Sequence, residues 1–326
     1  MEKLLIAVMA ILAGVGGITL LYFLLNFLVE RLPGRWEHRL KPFAFVAPAV
    51  LVVGLFLVYP AVQTIVYSFA NDESTAFVGL TNYQELFSDS DFRSALFNNL
   101  LWIIIVPTMS VIIGLLVAVL ADKLSARFES ISKSVIFLPM AISFVGAGTI
   151  WGFIYYAELR APEQIGLLNA IVVQFGGEPV VWLQQSQFSL NDFLLMVIMI
   201  WLQAGFAMVL LSAAIKNVPV DTLEAARIDG ANEFQIFFRV VVPQIWATML
   251  VVFTTILILV MKIFDVVYVM TNGAFGTEVI ANVFFKELLE FGNNGQAAAV
   301  VVVLMIAVIP LMIYQVRRYR AEEAGR

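Results

Sequence analysis

The side chains best suited to chemistry lie in one polar stretch, residues 217–244, which interrupts two long apolar runs. Glu224 and Asp229 offer carboxylates that accept hydrogen bonds from basic or N–H groups of a partner. The residues around them are small enough to let a partner surface approach closely: Ala225, Ala226, Gly230 and Ala231. The stretch thus combines carboxylates with small residues that leave room for close approach.

The first half of this stretch carries the signals of a short helix. Asp221 and Glu224 stand three residues apart, which is the spacing of a capping box, so we expect a helix to begin there. Asp229 and Gly230 mark its end, because glycine accepts the left-handed conformation that closes a helix. The segment is too charged to lie within lipid.

The second half carries the signals of another helix. Asn232 and Gln235 repeat the capping spacing, and apolar residues follow at the spacing of a single helical face. These residues are Phe234, Phe237, Phe238 and Val241. Pro243 is expected to limit the helix, since proline lacks an N–H and clashes with the preceding turn. We therefore predict a bent pair of helices between two membrane spans.

The rest of the chain is strongly apolar. Of its 326 residues, 61% are hydrophobic and 13% are charged, and the mean hydropathy of +0.93 is too high for a soluble domain. The absence of cysteine excludes disulfides and thiolate metal sites, and the one histidine, His38, leaves little for histidine catalysis or metal ligation. We expect an all-α fold, a polytopic bundle of transmembrane helices.

Seven apolar runs are long enough to cross a bilayer, at about 20 residues for each crossing. They cover residues 4–29, 43–69, 96–120, 134–156, 191–215, 246–270 and 295–316. The first run resembles a cleaved signal peptide in length, but Glu2 precedes Lys3 and no small-residue cleavage site follows. We expect it to be retained, which divides the chain into an N-terminal helix with its connector, 1–41, and a six-span part, 42–326.

The basic residues are distributed unevenly among the connectors. If the connectors alternate between the two sides, 14 of the 19 lysines and arginines fall on one side, four fall on the other, and Lys262 lies within a span. The positive-inside rule makes the richer side cytoplasmic. The N-terminus is then expected outside and the C-terminus inside, with the basic connector 31–41 and the stretch 217–244 facing the cytoplasm.

The letters EAARIDGA at 224–231, followed by an apolar helix and a proline, resemble the EAA loop of the permease subunits of binding-protein-dependent ABC importers. In that family the loop forms a coupling helix that sits in a cleft on a cytoplasmic ATPase. The alternative interpretation is an amphipathic linker that lies on the membrane surface. The resemblance assigns ATPase coupling to Glu224, Ala225, Ala226, Asp229, Gly230 and Ala231.

Residues 261–310 are similar to the carboxy-terminal third of sugar-importer permeases of the maltose and α-glucoside type. The matching features are a Phe-Asp pair at 264–265, a Thr-x-Gly turn at 271–273 with Thr277 after it, and a small-residue helix start at 295–299. The similarity as a whole covers about residues 43–320. It implies a six-span importer core with one extra N-terminal helix, in the cytoplasmic membrane of a bacterium or archaeon.

The same resemblance implies the partners. They are a second, homologous permease subunit in a heterodimer, two copies of a cytoplasmic ABC ATPase, an extracytoplasmic sugar-binding protein and the lipid bilayer, with no nucleic acid. The phosphate-binding pattern GxxxxGK[ST] is absent, because the sequence has no Gly-Lys pair. We therefore expect no enzymatic activity and no bound cofactor in this chain, with ATP and Mg²⁺ handled by the ATPase.

Polar groups within apolar spans are costly, and they mark candidates for a substrate path. Lys262 and Asp265 stand three residues apart on the predicted sixth span. At that spacing they either form an ion pair across one turn or contact substrate. Both alternatives stay open.

Gln203 and Phe206 share a face of the predicted fifth span, near Trp201. In maltose-type permeases this segment contributes to the sugar cavity, where aromatic faces stack on pyranose rings and amides bond hydroxyl groups. The resemblance matches Gln203 and Phe206 to that segment, and it matches Val260 and Ile263 to the cavity side of the sixth span. Helix packing through the small residues around Gln203 is the alternative.

The predicted function is one half of the translocation path of an ATP-driven importer for an oligosaccharide or glycoside. A permease for another small polar solute, such as a polyol or glycerol derivative, stays open. A channel or secondary transporter would require charged or discontinuous helices along an ion path. A purely structural membrane subunit would leave the capped segment 217–244 unexplained.

Overall fold

The structure, a computed structural model, describes residues 2–31, 33–159 and 163–324. Within these ranges it is helical, and its extended backbone pairs only in one bridge between Ala70 and Phe77. Six of the described helices are long and apolar enough to cross a membrane, and a bent helix pair brings the number of spans to seven. This confirms the all-α, polytopic bundle of about seven spans.

The helices are numbered in chain order, and short 3₁₀ and π turns interrupt or connect them. Their bounds are α1 Glu2–Glu30, α2 Gly34–Val53, α3 Tyr59–Tyr67, α4 Thr81–Ser88, α5 Ser90–Asp122, α6 Ala126–Phe137, α7 Phe144–Tyr155, α8 Leu167–Gln174, α9 Leu190–Lys216, α10 Val220–Ile228, α11 Glu233–Ile236, α12 Val242–Met261, α13 Asp265–Met270, α14 Ile280–Phe285 and α15 Asn294–Ala324.

The chain packs as two compact units, residues up to 66 and residues from 67 onward. In the first unit α1 packs against α2. The predicted basic connector 31–41 is shorter than expected, because α2 begins at Gly34 and includes most of it. The basic residues of this segment suggested a connecting loop. Basic residues are nevertheless compatible with a helix, and the chain forms one here.

The core of the second unit lies among α5, α9 and α12. Gly114 of α5 lies directly against α9, where an added Cβ would approach the Cβ of Ala207 to 2.6 Å and the backbone N of Met208 to 2.8 Å. A small residue at this crossing lets the two backbones come close. Large apolar side chains fill the space around it, including Trp102, Met199, Leu202 and Leu211.

The predicted fourth span, 134–156, is not one continuous helix. Residues Ala126–Ala141 and Phe144–Tyr155 form two helical segments that are bent by 104° relative to each other. Pro139 lies in the 3₁₀ turn before the break, where it removes a backbone donor. Ser143 then caps α7 by accepting a hydrogen bond from the N–H of Gly146 at 3.1 Å. A hydropathy window averages over such a break and does not detect it.

The predicted sixth span, 246–270, is shifted in the structure. The apolar helix runs from Glu233 to Met261 and stops there, before the short helix α13. Pro243 does not limit the preceding helix, because a π turn at Phe237–Val241 precedes it. The wider hydrogen-bond register of that turn accommodates a residue without an N–H.

The loop between α13 and α14 turns sharply and is held by α5. Asn98 of α5 donates to the carbonyl oxygens of Gly276 at 2.6 Å and Glu278 at 2.9 Å. The carboxylate of Glu278 also pairs with Lys286 at 2.6 Å. Positive φ angles occur at Asn272, Gly273, Phe275 and Gly276. The Thr-x-Gly motif at 271–273 therefore forms a turn, with its glycine in the left-handed conformation.

Candidate functional site

The polar stretch 217–244 does contain a first short helix, but the helix is not capped as predicted. α10 begins at Val220 after Pro219, and no side chain caps it. Asp221 therefore lies inside the first turn, so the predicted capping box of Asp221 and Glu224 is wrong. The carboxylate of Asp221 still lies near the positive end of the helix dipole.

The end of α10 agrees with the sequence. The helix ends at Ile228, and Gly230 has φ +82°, in the left-handed region. The N–H of Gly230 donates to the carbonyl of Arg227, and that of Ala231 donates to Ala226, each at 3.0 Å. These bonds satisfy carbonyls that the helix end leaves free. An added Cβ at Gly230 would meet no atom within 4 Å, so only its backbone conformation restricts this position within the chain.

The second helix begins as predicted. The side chain of Asn232 accepts from the N–H of Gln235 at 2.8 Å, and the N–H of Asn232 donates to the side chain of Gln235 at 3.0 Å. This is a complete capping box. Arg227 pairs with Glu233 at 2.9 Å, which joins α10 to α11 and holds the pKa of the Arg227 guanidinium above its ordinary value.

The six residues assigned to ATPase coupling divide into two groups. Ala226 and Ala231 are half-buried and pack against a small apolar cluster that fixes α10 to the start of the sixth span. The buried members of that cluster are Val218, Ile236, Val241 and Ile245. The exposed members of the assigned set are Glu224, Ala225, Asp229 and Gly230. The arrangement presents two carboxylates and two small residues on a supported surface.

Apolar side chains beside this surface are also exposed, and their exposure was not predicted from the sequence. Ile228 is 86% exposed and Phe234 is 72% exposed. The ring of Phe234 lies 4.5 Å from that of Phe238, which is exposed as well, whereas Phe237 and Val241 pack inward. The prediction that these phenylalanines share one face with Val241 is wrong, because the π turn that begins at Phe237 changes the helical period. In the sequence, Ile228 and Phe234 each stand beside charged residues, which is the pattern that could have indicated their exposure.

Lys262 and Asp265 do not pair. The helix breaks between them: Lys262 is the C-cap residue of α12, and Asp265 is the first residue of α13. Lys262 is exposed and Asp265 is half-buried. Among the ion pairs of the described residues, none joins these two. The ion-pair alternative required one continuous helical turn, which the chain does not form here.

Gln203 lies within the packed second unit. Its side chain is 5% exposed, and none of the side-chain hydrogen bonds of the described residues involves its amide, although that amide is not among their fully buried polar groups without a partner. The neighbouring Gly205 lies so close to α6 that a side chain there would overlap the carbonyl oxygen of Ile136. The small residues near Gln203 therefore serve helix packing, as the alternative interpretation held, while the Gln203 amide itself lacks a partner.

The other residues assigned to the substrate path differ in exposure. Val260 and Ile263 are buried in the core of the second unit, and Trp201 and Phe206 are half-buried against it. The ring of Trp201 contacts Trp151 of α7 edge-on, with 5.9 Å between centroids. The fifth and sixth spans thus bring the assigned residues into one packed region, next to the broken fourth span.

A charged cluster that sequence reasoning missed lies near the end of α9. The carboxylate of Glu129 binds both Lys133 and Lys216, the latter at 2.5 Å, and Lys133 also donates to the buried Ser212. Glu129 and Lys133 lie between the predicted third span, 96–120, and the predicted fourth span, 134–156. Their spacing of four residues is the signal of a pair on one helix face.

Comparison with known proteins gives a consistent family. Residues 76–320 match the family described as "Binding-protein-dependent transport system inner membrane component". The alpha-glucoside transport system permease protein AglF of Rhizobium meliloti (strain 1021) is 45% identical over 339 aligned residues, which cover 100% of both chains. The osmoprotective compounds uptake permease protein GgtC of Synechocystis sp. is 50% identical over 282 residues, covering 86% of this chain and 100% of that protein.

Solved structures share the fold. A bacterial ABC transporter involved in the import of the acidic polysaccharide alginate matches with a TM-score of 0.75 and 19% identity, over 88% of this chain and 99% of that chain. The alginate transporter in complex with a periplasmic protein bound to alginate pentasaccharide matches with a TM-score of 0.71 and 18% identity, over 87% of this chain and 95% of that chain. At these identities the likeness shows the architecture of the bundle.

Proposed function

The chain belongs to the family of binding-protein-dependent transport system inner membrane components, and on that basis we propose that it forms one half of the translocation path of an ATP-driven importer for an oligosaccharide or glycoside. It is a permease component of an inner membrane. The observation that carries the coupling part of the proposal is the surface of α10 and α11, which is exposed and rests on an apolar cluster, with a complete capping box at the start of α11.

This coupling surface combines two kinds of group. The exposed carboxylates of Glu224 and Asp229 suit basic or N–H groups, and the exposed apolar side chains of Ile228 and Phe234 suit a hydrophobic recess. Gly230 between them leaves room for close approach. A linker resting on the membrane surface would turn its apolar residues toward lipid and its carboxylates away from them. A cleft on a cytoplasmic ATPase accommodates both.

The full assembly follows from the family. We infer a heterodimer with a second, homologous permease, two copies of a cytoplasmic ABC ATPase and an extracytoplasmic sugar-binding protein. ATP and Mg²⁺ belong to the ATPase, and this chain carries no cofactor or catalytic residue and binds no nucleic acid. The family description names a binding protein, and the alginate transporter was solved in complex with its periplasmic one, which supports the last partner.

The membrane orientation is also part of the proposal. The N-terminus lies outside and the C-terminus lies in the cytoplasm of a bacterium or archaeon. The uneven distribution of the basic residues supports this orientation, since 14 of the 19 fall on one side of alternating connectors. The coupling surface of α10 and α11 then faces the cytoplasm, where an ATPase has access to it.

Two observations support the proposed substrate class: the names of similar proteins and the position of the Gln203 amide. A relative with 45% identity over the whole chain is named for alpha-glucoside transport, which supports a glycoside. The amide of Gln203, nearly buried and without a protein partner, suits a sugar hydroxyl group. The second candidate is another small polar solute, because a relative with 50% identity is named for the uptake of osmoprotective compounds.

The proposal is tested by purifying the chain from its native membrane in detergent and identifying the subunits that accompany it. We expect one homologous permease and an ABC ATPase in stoichiometric amount. The purified complex, reconstituted with its binding protein, should import a labelled α-glucoside only when ATP is present on the cytoplasmic side. Import that favours a small osmolyte over the glycoside would select the second candidate.

A further inference from the structure

Glu129 lies at the centre of a charged cluster that joins α6 to the end of α9. Its Oε1 atom binds the ammonium group of Lys133, one turn further along α6, and that of Lys216, the last residue of α9. Lys133 reaches α9 as well, through the buried hydroxyl of Ser212. Lys216 also lies 3.8 Å from Asp122, at the end of α5. The Glu129 side chain is only 13% exposed, so these bonds are partly shielded from water.

A second attachment joins the other end of α6 to α9. Gly205 of α9 lies against the backbone of Ile136 and Phe137, and a side chain at Gly205 would overlap both. Packed backbones of this kind resist sliding, because the contact has no adjustable side chain. With the charged cluster at one end and the Gly205 contact at the other, α6 and α9 are attached along the length of α6.

The attached helices continue directly into the coupling surface. Three residues separate the end of α9 from the start of α10, and one of them, Val218, is buried in the apolar cluster below α10. No long flexible connector therefore lies between Lys216 and the coupling surface. At its far end α6 leads into the break at Ile142 and Ser143, where the chain bends by 104°.

We propose that Glu129 is a positioning residue of the transport cycle: it clamps α6 to α9, so that a displacement of the coupling surface moves the first half of the fourth span. The break at Ile142 and Ser143 absorbs the change of angle, and α7 need not follow rigidly. Without the carboxylate, Lys133 and Lys216 would face each other as like charges and separate α6 from α9. This inference rests on the proposed function, since it requires an ATPase that moves the coupling surface.

The first test compares transport with hydrolysis in the reconstituted complex. Glu129→Gln should leave the ATPase bound and ATP hydrolysis active, while solute imported per ATP hydrolysed falls at least about tenfold, because the carboxylate bonds two ammonium groups and each such charged bond is worth that much or more. Glu129→Asp, which keeps the charge on a shorter side chain, should recover part of the ratio. Arg127→Gln is the matched control, because Arg127 is an exposed charge on the same helix without an ion pair among the described residues.

The second test measures whether α6 and α9 move together. Because the chain contains no cysteine, Ser130→Cys on α6 and Asn217→Cys after α9 place two spin labels at exposed positions without background. The labelled chain is studied in a complex whose partner subunits lack reactive cysteines. When Glu129 is present, we expect the same distance between the labels in the nucleotide-free and ATP-trapped states. With Glu129→Gln the two states should give different distances.

The outcomes separate this inference from the proposed function. A native chain that purifies without an ATPase overturns both. Normal hydrolysis with an unchanged ratio of import to hydrolysis in Glu129→Gln overturns the clamp alone. A label distance that already changes between the two states when Glu129 is present does the same.

Discussion

Helix packing does not explain why a glutamine occupies position 203. The apolar side chains and small residues around it fit the close approach of α9 to α5 and α6, but its amide is nearly buried and has no partner among the described residues. A polar side chain at the centre of an apolar span is costly, which makes Gln203 a candidate for contact with the transported solute.

Replacing Gln203 therefore separates stability from transport. Gln203→Leu should leave the thermal stability of the purified complex nearly unchanged, because the amide makes no hydrogen bond to a described residue that the variant would lose. Import at limiting sugar should fall about fivefold, corresponding to the loss of a neutral hydrogen bond of about 1 kcal/mol. Gln174→Leu, at an exposed position on α8, is the control. Equal import by both variants would mean that Gln203 serves packing alone.

Gly230 offers a graded test at the coupling surface. Its φ of +82° disfavours any side chain, but an added Cβ meets nothing within the chain. Gly230→Asn should be nearly neutral, because asparagine tolerates the left-handed conformation. Gly230→Leu adds strain of about 1–2 kcal/mol and bulk that only a docked partner would meet. We expect it to remain inserted beside its partner permease but to lose ATPase from the purified complex, measured by subunit stoichiometry. Equal ATPase content in both variants would contradict docking at this position.

Two motifs of equal spacing show how far single residues can be read from the sequence. Asn232 and Gln235 form the predicted capping box, whereas Asp221 and Glu224 do not. The difference lies in where each helix begins. α10 begins at Val220, directly after Pro219, so Asp221 is already inside the helix and is not its cap. The spacing of a capping box shows which side chains could form the capping hydrogen bonds. Whether they form depends on the residue at which the helix begins.

At the scale of elements, the two capping motifs provide a matched pair of variants. Asn232→Ala should destabilise the start of α11 by about 1 kcal/mol, and hydrogen exchange should increase at residues 233–236. Asp221→Ala should change exchange in α10 little, since Asp221 makes no cap. An increase of the same size in α10 would show that Asp221 does cap that helix in solution.

The existence and approximate positions of the spans could be predicted from the sequence, but their ends and interruptions could not. Apolar runs locate seven spans because the bilayer demands a fixed length of apolar chain. The break at Ile142 and Ser143 and the end of α12 at Met261 lie inside apolar runs, where hydropathy is uniform. Each depends on local backbone geometry and on packing against other helices. Of the two alternatives for Lys262 and Asp265, the ion pair across one turn is not formed for this reason.

At the scale of the whole molecule, the orientation gives a direct prediction. A single cysteine introduced by Thr75→Cys, in the exposed loop after α3, should react with an impermeant maleimide added outside intact cells or spheroplasts. A single cysteine introduced by Thr222→Cys, exposed on α10, should react only after the membrane is opened. The reverse pattern would place the coupling surface outside and remove the basis for ATPase docking.

The most direct test of the central claim is ATP-dependent import by the reconstituted complex. Proteoliposomes that contain this chain, its partner permease and the ATPase should accumulate labelled α-glucoside when they hold ATP and Mg²⁺ inside and meet the loaded binding protein outside. Gly230→Leu should abolish import and binding-protein-stimulated ATP hydrolysis together. Accumulation without ATP, or full import and stimulation with Gly230→Leu, would contradict a permease driven by an ATPase through the surface of α10 and α11.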